Sequence, residues 1–424
     1  MKPSTTSSKT PYYGWWIVAA AIVCHFAAVS LGQSIVSIFL KPVTSELGWQ
    51  VWQFTLGPSL GLGVSALSGI VAGQIVDRRG PRILILVGVV VTVASFYGLG
   101  LQSSIWLYWL LNIIVGLLGW SLFGPLIVNS TLSKWFIKKR GWALAIGSIG
   151  VSLAGLITPL VMTSVVDTVG WRNGYYILAI FTFIVVTPMA FVMRRTPEDY
   201  GLMPDGEAPS ISDTSQQLSV VETHSLTKRE AVRTSSFWLL VVGFGFNMAA
   251  LSSVLFHAIP FATDANFTRG IAALALTING LGNLLSKAVW GYSLQRFDAK
   301  NLVITAFSVS SLGVALMLLA ATTGQVVLLF IGFFLYGFGF GGTIPLGEFL
   351  WVSYFGRANI GAIRGIAQPL TFLGPTFGPV LIGVWYDYAA SYQLAFVTII
   401  LVYWMGALLV WFSQKPTVRP VVVN

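Results

Sequence analysis

GQIVDRRGPR, Gly73 to Arg82, is a short charged elbow between two long apolar runs. Its pattern is Gly-x-x-x-Asp-Arg-x-Gly-x-Arg. Gly73 is expected to let helices pack closely. Asp77 can accept from backbone N–H groups or from a guanidinium. Gly80 and Pro81 are expected to end one helix and start the next. Arg78, Arg79 and Arg82 favour the cytoplasmic face of a membrane. One such loop is no more than a positively charged turn. Here a worn second copy, GYSLQRFDAK, runs from Gly291 to Lys300, and Gly291 lies 218 residues after Gly73. Arg296 follows Arg78, and Pro260 follows Pro42, by the same 218 residues. Three matches at one offset indicate an internal repeat.

Working outward, the 424 residues are 55% hydrophobic and only 9% charged, against roughly 25% charged in a soluble domain. Most of the chain therefore belongs in lipid. The 44 glycines and 16 tryptophans suit closely packed helices with interfacial anchors. A net charge of +10 does not indicate nucleic-acid binding, because the basic residues sit in short loops between apolar runs. Cys24 is the only cysteine, which leaves no disulfide framework and no cysteine-based metal site. The first apolar run is long and leads straight into further spans, so no cleavable signal peptide is expected.

Apolar runs of about 20 residues read as membrane spans. Twelve are expected, near 13–39, 52–76, 82–102, 105–131, 141–166, 173–193, 236–260, 269–293, 301–322, 325–352, 361–386 and 392–413. With both termini inside, 20 of the 24 lysines and arginines fall on the cytoplasmic side. Lys41, Arg172 and Arg269 fall outside, and Lys287 lies within a span. This asymmetry predicts cytoplasmic termini. A polar linker, Arg194 to Thr234, separates two six-helix halves, giving expected domains 1–193 and 236–424 joined by 194–235. Ala208 to Thr223 reads as a disordered tether and Leu226 to Val232 as a short surface helix.

The elbow and its repeat resemble the signature loop of the major facilitator superfamily. KWFIKKRGWALAIG (Lys134–Gly147), YFGRANIGAIRG (Tyr354–Gly365) and LGPTFGPVLIGVWYDYAASY (Leu373–Tyr392) together resemble its oxalate/formate and monocarboxylate branch. The resemblance implies an all-α membrane protein of twelve transmembrane helices in two pseudo-symmetric bundles, with a central binding site. It also implies that Asp77 and Arg78 are conformational elements rather than ligands.

Lys287 is the most informative single residue. Asn279, Asn283 and Lys287 are spaced by four and share a helix face, a polar stripe of the kind that lines a cavity. A charge inside the bilayer costs roughly 2.5–3.5 kcal/mol and usually serves function; the bland alternative is a lysine snorkelling to the surface. Related carboxylate carriers place a substrate-pairing arginine at the position of Lys287. Animal-type carriers keep an aspartate where this chain has Asn283, and a lysine in span one where it has Ser34, next to Gln33. Proton coupling by that route is not supported here. Oxalate exchangers keep a second cation in span eleven, where Gln368 and Thr371 stand. One central cation suits a monoanion.

His25 reads equally as a proton relay or a packed histidine, and His257 as packed. Glu348 and Arg364 read equally as an inner gate or a static pair. Trp120 and Tyr336, near span centres, join Gln33 as candidates for the cavity wall. No constellation supports enzymatic chemistry, and no cofactor or metal is expected. The expectation is a secondary transporter of a small organic anion, a monocarboxylate above all, in the cell's plasma membrane, with possible proton or counter-anion coupling. The alternatives are an exporter of larger amphipathic compounds and a transporter-shaped carboxylate sensor.

Overall fold

The computed structural model describes residues 12–206, 226–356 and 359–416, and among them the ordered elements are all helical. Twelve long helical segments run in chain order. They are α1 Gly14–Leu47, α2 Val51–Arg79, α3 Arg82–Leu101, α4 Ile105–Trp135, α5 140–170, α6 171–192, α7 Ser235–Asp264, α8 Arg269–Ser293, α9 Ala299–Thr323, α10 Val326–Phe355, α11 Ile360–Ala389 and α12 Gln393–Phe412. The boundary between α5 and α6 is Gly170, whose φ of +83° and ψ of 162° interrupt an otherwise continuous helix. Each segment has the roughly 20 residues needed to cross a bilayer. Large apolar side chains such as Trp106, Val90 and Trp411 remain outward-facing, as lipid contact requires. The domain-linker stretch expected at Ala208 to Thr223 lies outside the described residues, as do Lys2, Lys9, Arg357 and Arg419 of the charge tally.

The repeat is visible in the packing. α2 packs on α4, α3 on α6 and α1 on α5; their counterparts pack as α8 on α10, α9 on α12 and α7 on α11. The two bundles meet through α2 with α11 and α5 with α8, two pairs exchanged by the same symmetry. Pro42 and Pro260 both sit near the ends of their helices.

The elbow breaks as its sequence dictates. α2 ends at Arg79, Gly80 takes φ +82°, and α3 starts after Pro81. Gly80 is required there because a side chain is strained at positive φ. Gly73 departs from expectation: a Cβ built on it meets nothing within 4 Å, and the same holds for Gly291. Neither glycine serves close packing here. The side chain of Asp77 lies outside the described residues.

The linker begins as a clasp on the first bundle. The Arg194 guanidinium lies 4.0 Å from the Tyr13 ring centroid and 4.1 Å from that of Tyr200. Arg195 pairs with Asp199 at 3.0 Å and donates to the Arg78 carbonyl at 2.8 Å. Asp205 accepts from the backbone N–H groups of Ile137, Lys138 and Lys139 at 2.7–3.0 Å. Burial pushes the Asp205 carboxyl up, and these three bonds with the nearby Lys139 charge outweigh it, leaving it below the usual carboxylate range. Further along, the helix Lys228–Val232 is closed by a capping box between Thr227 and Glu230.

Candidate functional site

Between the bundles lies a cavity of about 390 Å³. Such a volume falls in the usual range for small-molecule sites. Both bundles supply its wall. From the first come Gln33, Ser34, Val151 and Ser152; from the second come Asn279, Asn283, Thr343, Gln368 and Thr371, with Phe244, Met248 and Phe340 among the apolar residues. Among the described lining residues, Glu348 and Arg364 are the only ionisable side chains.

Local backbone features present these groups. Residues Ser30–Ser34 of α1 form a π-helical turn, which widens the helix. Such turns often occur at functional sites because the extra residue re-aims its neighbours. Gln33 and Ser34 reach the cavity from it. On α8, Asn283 accepts from the Ser152 hydroxyl at 2.9 Å, across the bundle boundary. Asn279 is buried, and its amide oxygen has no protein partner.

The Arg364 guanidinium is hydrogen-bonded to Glu348 and lies 5.3 Å from the Trp351 ring centroid. The Glu348 side chain is 52% exposed and that of Arg364 24%. This is therefore a half-wet pair on a cavity wall, not a sealed ion pair. Its carboxylate and guanidinium remain accessible to a solute.

Lys287 is placed differently from the sequence expectation. It does not line the cavity. Its Nζ donates to the Ser148 carbonyl at 3.0 Å, with the Ser148 hydroxyl at 3.4 Å. The cause is a break at the start of α5: helix Arg140–Gly147 stops, and the next begins at Ile149. The Ser148 carbonyl at this break accepts one backbone bond, from the Val151 N–H at 3.1 Å, and keeps its second lone pair for another donor. An ammonium in the membrane needs acceptors, and the long lysine stem reaches this one. His25 uses the same break, its Nδ1 donating to the Gly147 carbonyl at 2.9 Å.

Trp120 and Tyr336 also stand off the cavity. Trp120 packs against Gly32 in the first bundle. Tyr336 is fully buried, and its hydroxyl donates to the Leu251 carbonyl at 2.7 Å, bracing the back of the wall. His257 is packed: Nε2 donates to the Pro379 carbonyl at 2.9 Å, and Nδ1 lies 3.2 Å from the Tyr392 hydroxyl. Arg78 is exposed at the elbow. Sequence reasoning missed Ser152 and Thr343, because a lone hydroxyl residue in an apolar span carries no periodic signal.

At the end of the bundles away from the elbow, polar contacts tie the two halves together. Arg269 pairs with Asp167 at 2.9 Å and donates to the Ile38 carbonyl at 2.7 Å. Lys41 approaches Asp264 at 3.9 Å. Asp387, near the end of α11, accepts from the first two N–H groups of α2, Val51 at 2.9 Å and Trp52 at 2.8 Å. Arg172 pairs with Glu46 within the first bundle. The three basic residues that the charge tally placed outside are thus each paired with an acid. This end is closed.

Comparison with known proteins agrees with this architecture. The chain is 23% identical over 325 residues to the oxalate:formate antiporter of Oxalobacter formigenes, covering 76% of this chain and 73% of that protein. It is 24% identical over 409 residues to monocarboxylate transporter 11 of Mus musculus, covering 94% and 86%. The solved structure of a D-xylose-proton symporter superposes with a TM-score of 0.70 at 15% identity, over 95% of this chain and 99% of that one, a likeness of fold. A profile of the Major Facilitator Superfamily matches residues 22–270 and 249–423. The bundle symmetry, the interfacial cavity and these matches converge: the chain is a multi-pass membrane transporter of the Major Facilitator Superfamily.

Proposed function

We propose that the chain is a secondary active transporter of a small organic anion, a monocarboxylate above all, working by rocker-switch alternating access. The observation that carries this reading is the cavity wall. It offers one guanidinium, Arg364, paired with the Glu348 carboxylate among neutral amides, hydroxyls and apolar side chains, in a volume suited to a small solute. An arginine presents a planar fork that matches a carboxylate. Gln33, Asn279 and Asn283 supply neutral hydrogen-bonding groups around it. Lys287 ties α8 to α5, while Trp120 and Tyr336 support the wall from behind. His25 is available as a proton relay beside the same break.

In this reading residues 1–193 and 236–424 rock as units, with 194–235 as their tether. The termini and the elbow face the cytoplasm, and the membrane is the plasma membrane. The described state is then closed outside. Asp77 and Arg78 would act when the inner end closes, through the conformational equilibrium rather than by contact with solute. The apolar walls also suit a larger amphipathic compound, which is the second reading.

The test is uptake of radiolabelled pyruvate, lactate and glyoxylate into proteoliposomes. Saturable, protein-dependent flux supports a carrier of monocarboxylates. Absence of flux with all three, together with saturable flux of an amphipathic dye, would transfer the assignment to the second reading.

A further inference from the structure

Resting on that reading, the cavity poses a problem of charge. Its only two described ionisable side chains, Glu348 and Arg364, are bonded to each other and neutralise one another. A carboxylate that reaches Arg364 competes with Glu348 for its guanidinium. Two anions then face one cation in a partly dehydrated space, where like charges repel strongly. A proton on Glu348 removes the excess charge and turns its carboxyl into a hydrogen-bond donor. Glu348 is 52% exposed on the cavity side, so water and protons reach it.

Among the described residues, the surroundings supply no other group to balance the charge. Of the helices packed on α10, α8 carries Lys287, which is held by Ser148, and Arg269, which is held by Asp167 at the far end. α9 carries Lys300, which donates to the Ser413 carbonyl at 2.7 Å. α11 carries Arg364 itself, with Asp387 committed to Val51 and Trp52 and Tyr386 bonded to Asp264. On α10, Tyr336 is bonded to the Leu251 carbonyl and Tyr354 to Ser413. From the first bundle the lining groups are uncharged.

We infer that Glu348 takes up the proton that accompanies a monocarboxylate to Arg364, so that substrate and proton enter the cavity together. The balance is simple: one anion and one proton are added, the Glu348–Arg364 bond is exchanged for an Arg364–substrate bond, and net charge is unchanged. Release to the other side reverses these steps. Asn283, at the place where animal-type relatives keep a carboxylate, has no part in this proton.

The experiment measures proton uptake on binding. Purified full-length protein in weakly buffered detergent solution is titrated with pyruvate, lactate and glyoxylate in turn while pH is followed. Wild type should take up about one proton per carboxylate bound. Glu348→Gln should bind without proton uptake, and in proteoliposomes it should keep exchange at equal pH while losing accumulation driven by an inward proton gradient. Wild-type binding with no proton uptake overturns the inference and leaves the carrier reading intact, even if the variant fails to fold. Proton uptake that persists in Glu348→Gln overturns it as well. So does a well-folded Glu348→Gln that cannot bind. Failure of wild type to bind any of the three carboxylates is a failure of the proposed function itself. Tight binding of a zwitterion such as glycine, without a proton, would contradict both.

Discussion

Replacing Asp387 by asparagine tests how the closed end is held. The Asp387 carboxylate spans two bundles: it sits on α11 and accepts from the first two N–H groups of α2. Those donors have no partner within their own helix. A negative charge at a helix N-terminus contributes about 0.3–1 kcal/mol, and a hydrogen bond to a charged group about 1.5–3 kcal/mol before solvent competition. Asp387 is exposed, so screening reduces the total to about 1–2 kcal/mol. Asparagine keeps one acceptor oxygen and turns an amide N–H toward a second donor. On the proposed rocker-switch reading the contact is broken when this end opens, so its loss should shift the equilibrium between states by about 5–30-fold toward opening. Spin labels at Ser104→Cys and Thr323→Cys, in a Cys24→Ser background, report the separation of the bundles at this end. The distance distribution should gain a longer component in Asp387→Asn. An unchanged distribution would mean that Arg269–Asp167 and the packing of α2 on α11 hold the closure without Asp387, and the reasoning would fail.

Further outcomes follow from the same geometry. Gly280→Ala places a methyl group on the backbone of Gly155 in the opposite bundle; overpacking of about 1–3 kcal/mol should disfavour the described state, read as a shift in the same spin-label distances. Asp205→Asn should lower thermal stability by about 1–2 kcal/mol through lost charge-assisted bonds. Because the folded-state carboxyl is held below its ordinary value, its contribution is present above the usual carboxylate range and is lost as pH falls through the lowered value. Wild type should therefore lose stability on acidification in that window, and melting curves of Asp205→Asn should show a smaller dependence there. Lys287→Gln should weaken carboxylate binding less than Arg364→Gln does, because the lysine ammonium is already occupied by the Ser148 carbonyl; equal losses in calorimetry would place Lys287 at the substrate.

The fold was largely legible because it follows from one-dimensional signals. Span length, the 218-residue offset and the Gly80–Pro81 break each depend on local composition, and each has its counterpart in the helices. The polar stripe on α8 was legible in part: Asn279 and Asn283 reach the wall. Lys287 shares their helical face but not their destination. Its partner is the Ser148 carbonyl, at a helix break in a segment with no proline to announce it. The π-helical turn at Ser30–Ser34 is equally silent in sequence, as is the fully packed setting of Tyr336. Arg364 read equally as part of a gate or of a static pair because it stands near the start of a span, whereas the packing of α11 puts it on the cavity wall. Asp387 falls just past the span expected near 361–386, and its role is silent in sequence because its two acceptor bonds join residues 335 and 336 positions away.

The central claim is that a carboxylate binds at Arg364. Isothermal titration of wild type and Arg364→Gln with pyruvate, lactate and glyoxylate tests it most directly. A charge-assisted, forked contact is worth about 2–3 kcal/mol, or roughly 30–150-fold in affinity. The account predicts saturable binding to wild type, weakened by that factor in Arg364→Gln and partly restored in Arg364→Lys. A correctly folded Arg364→Gln that binds its carboxylate as tightly as wild type would contradict it.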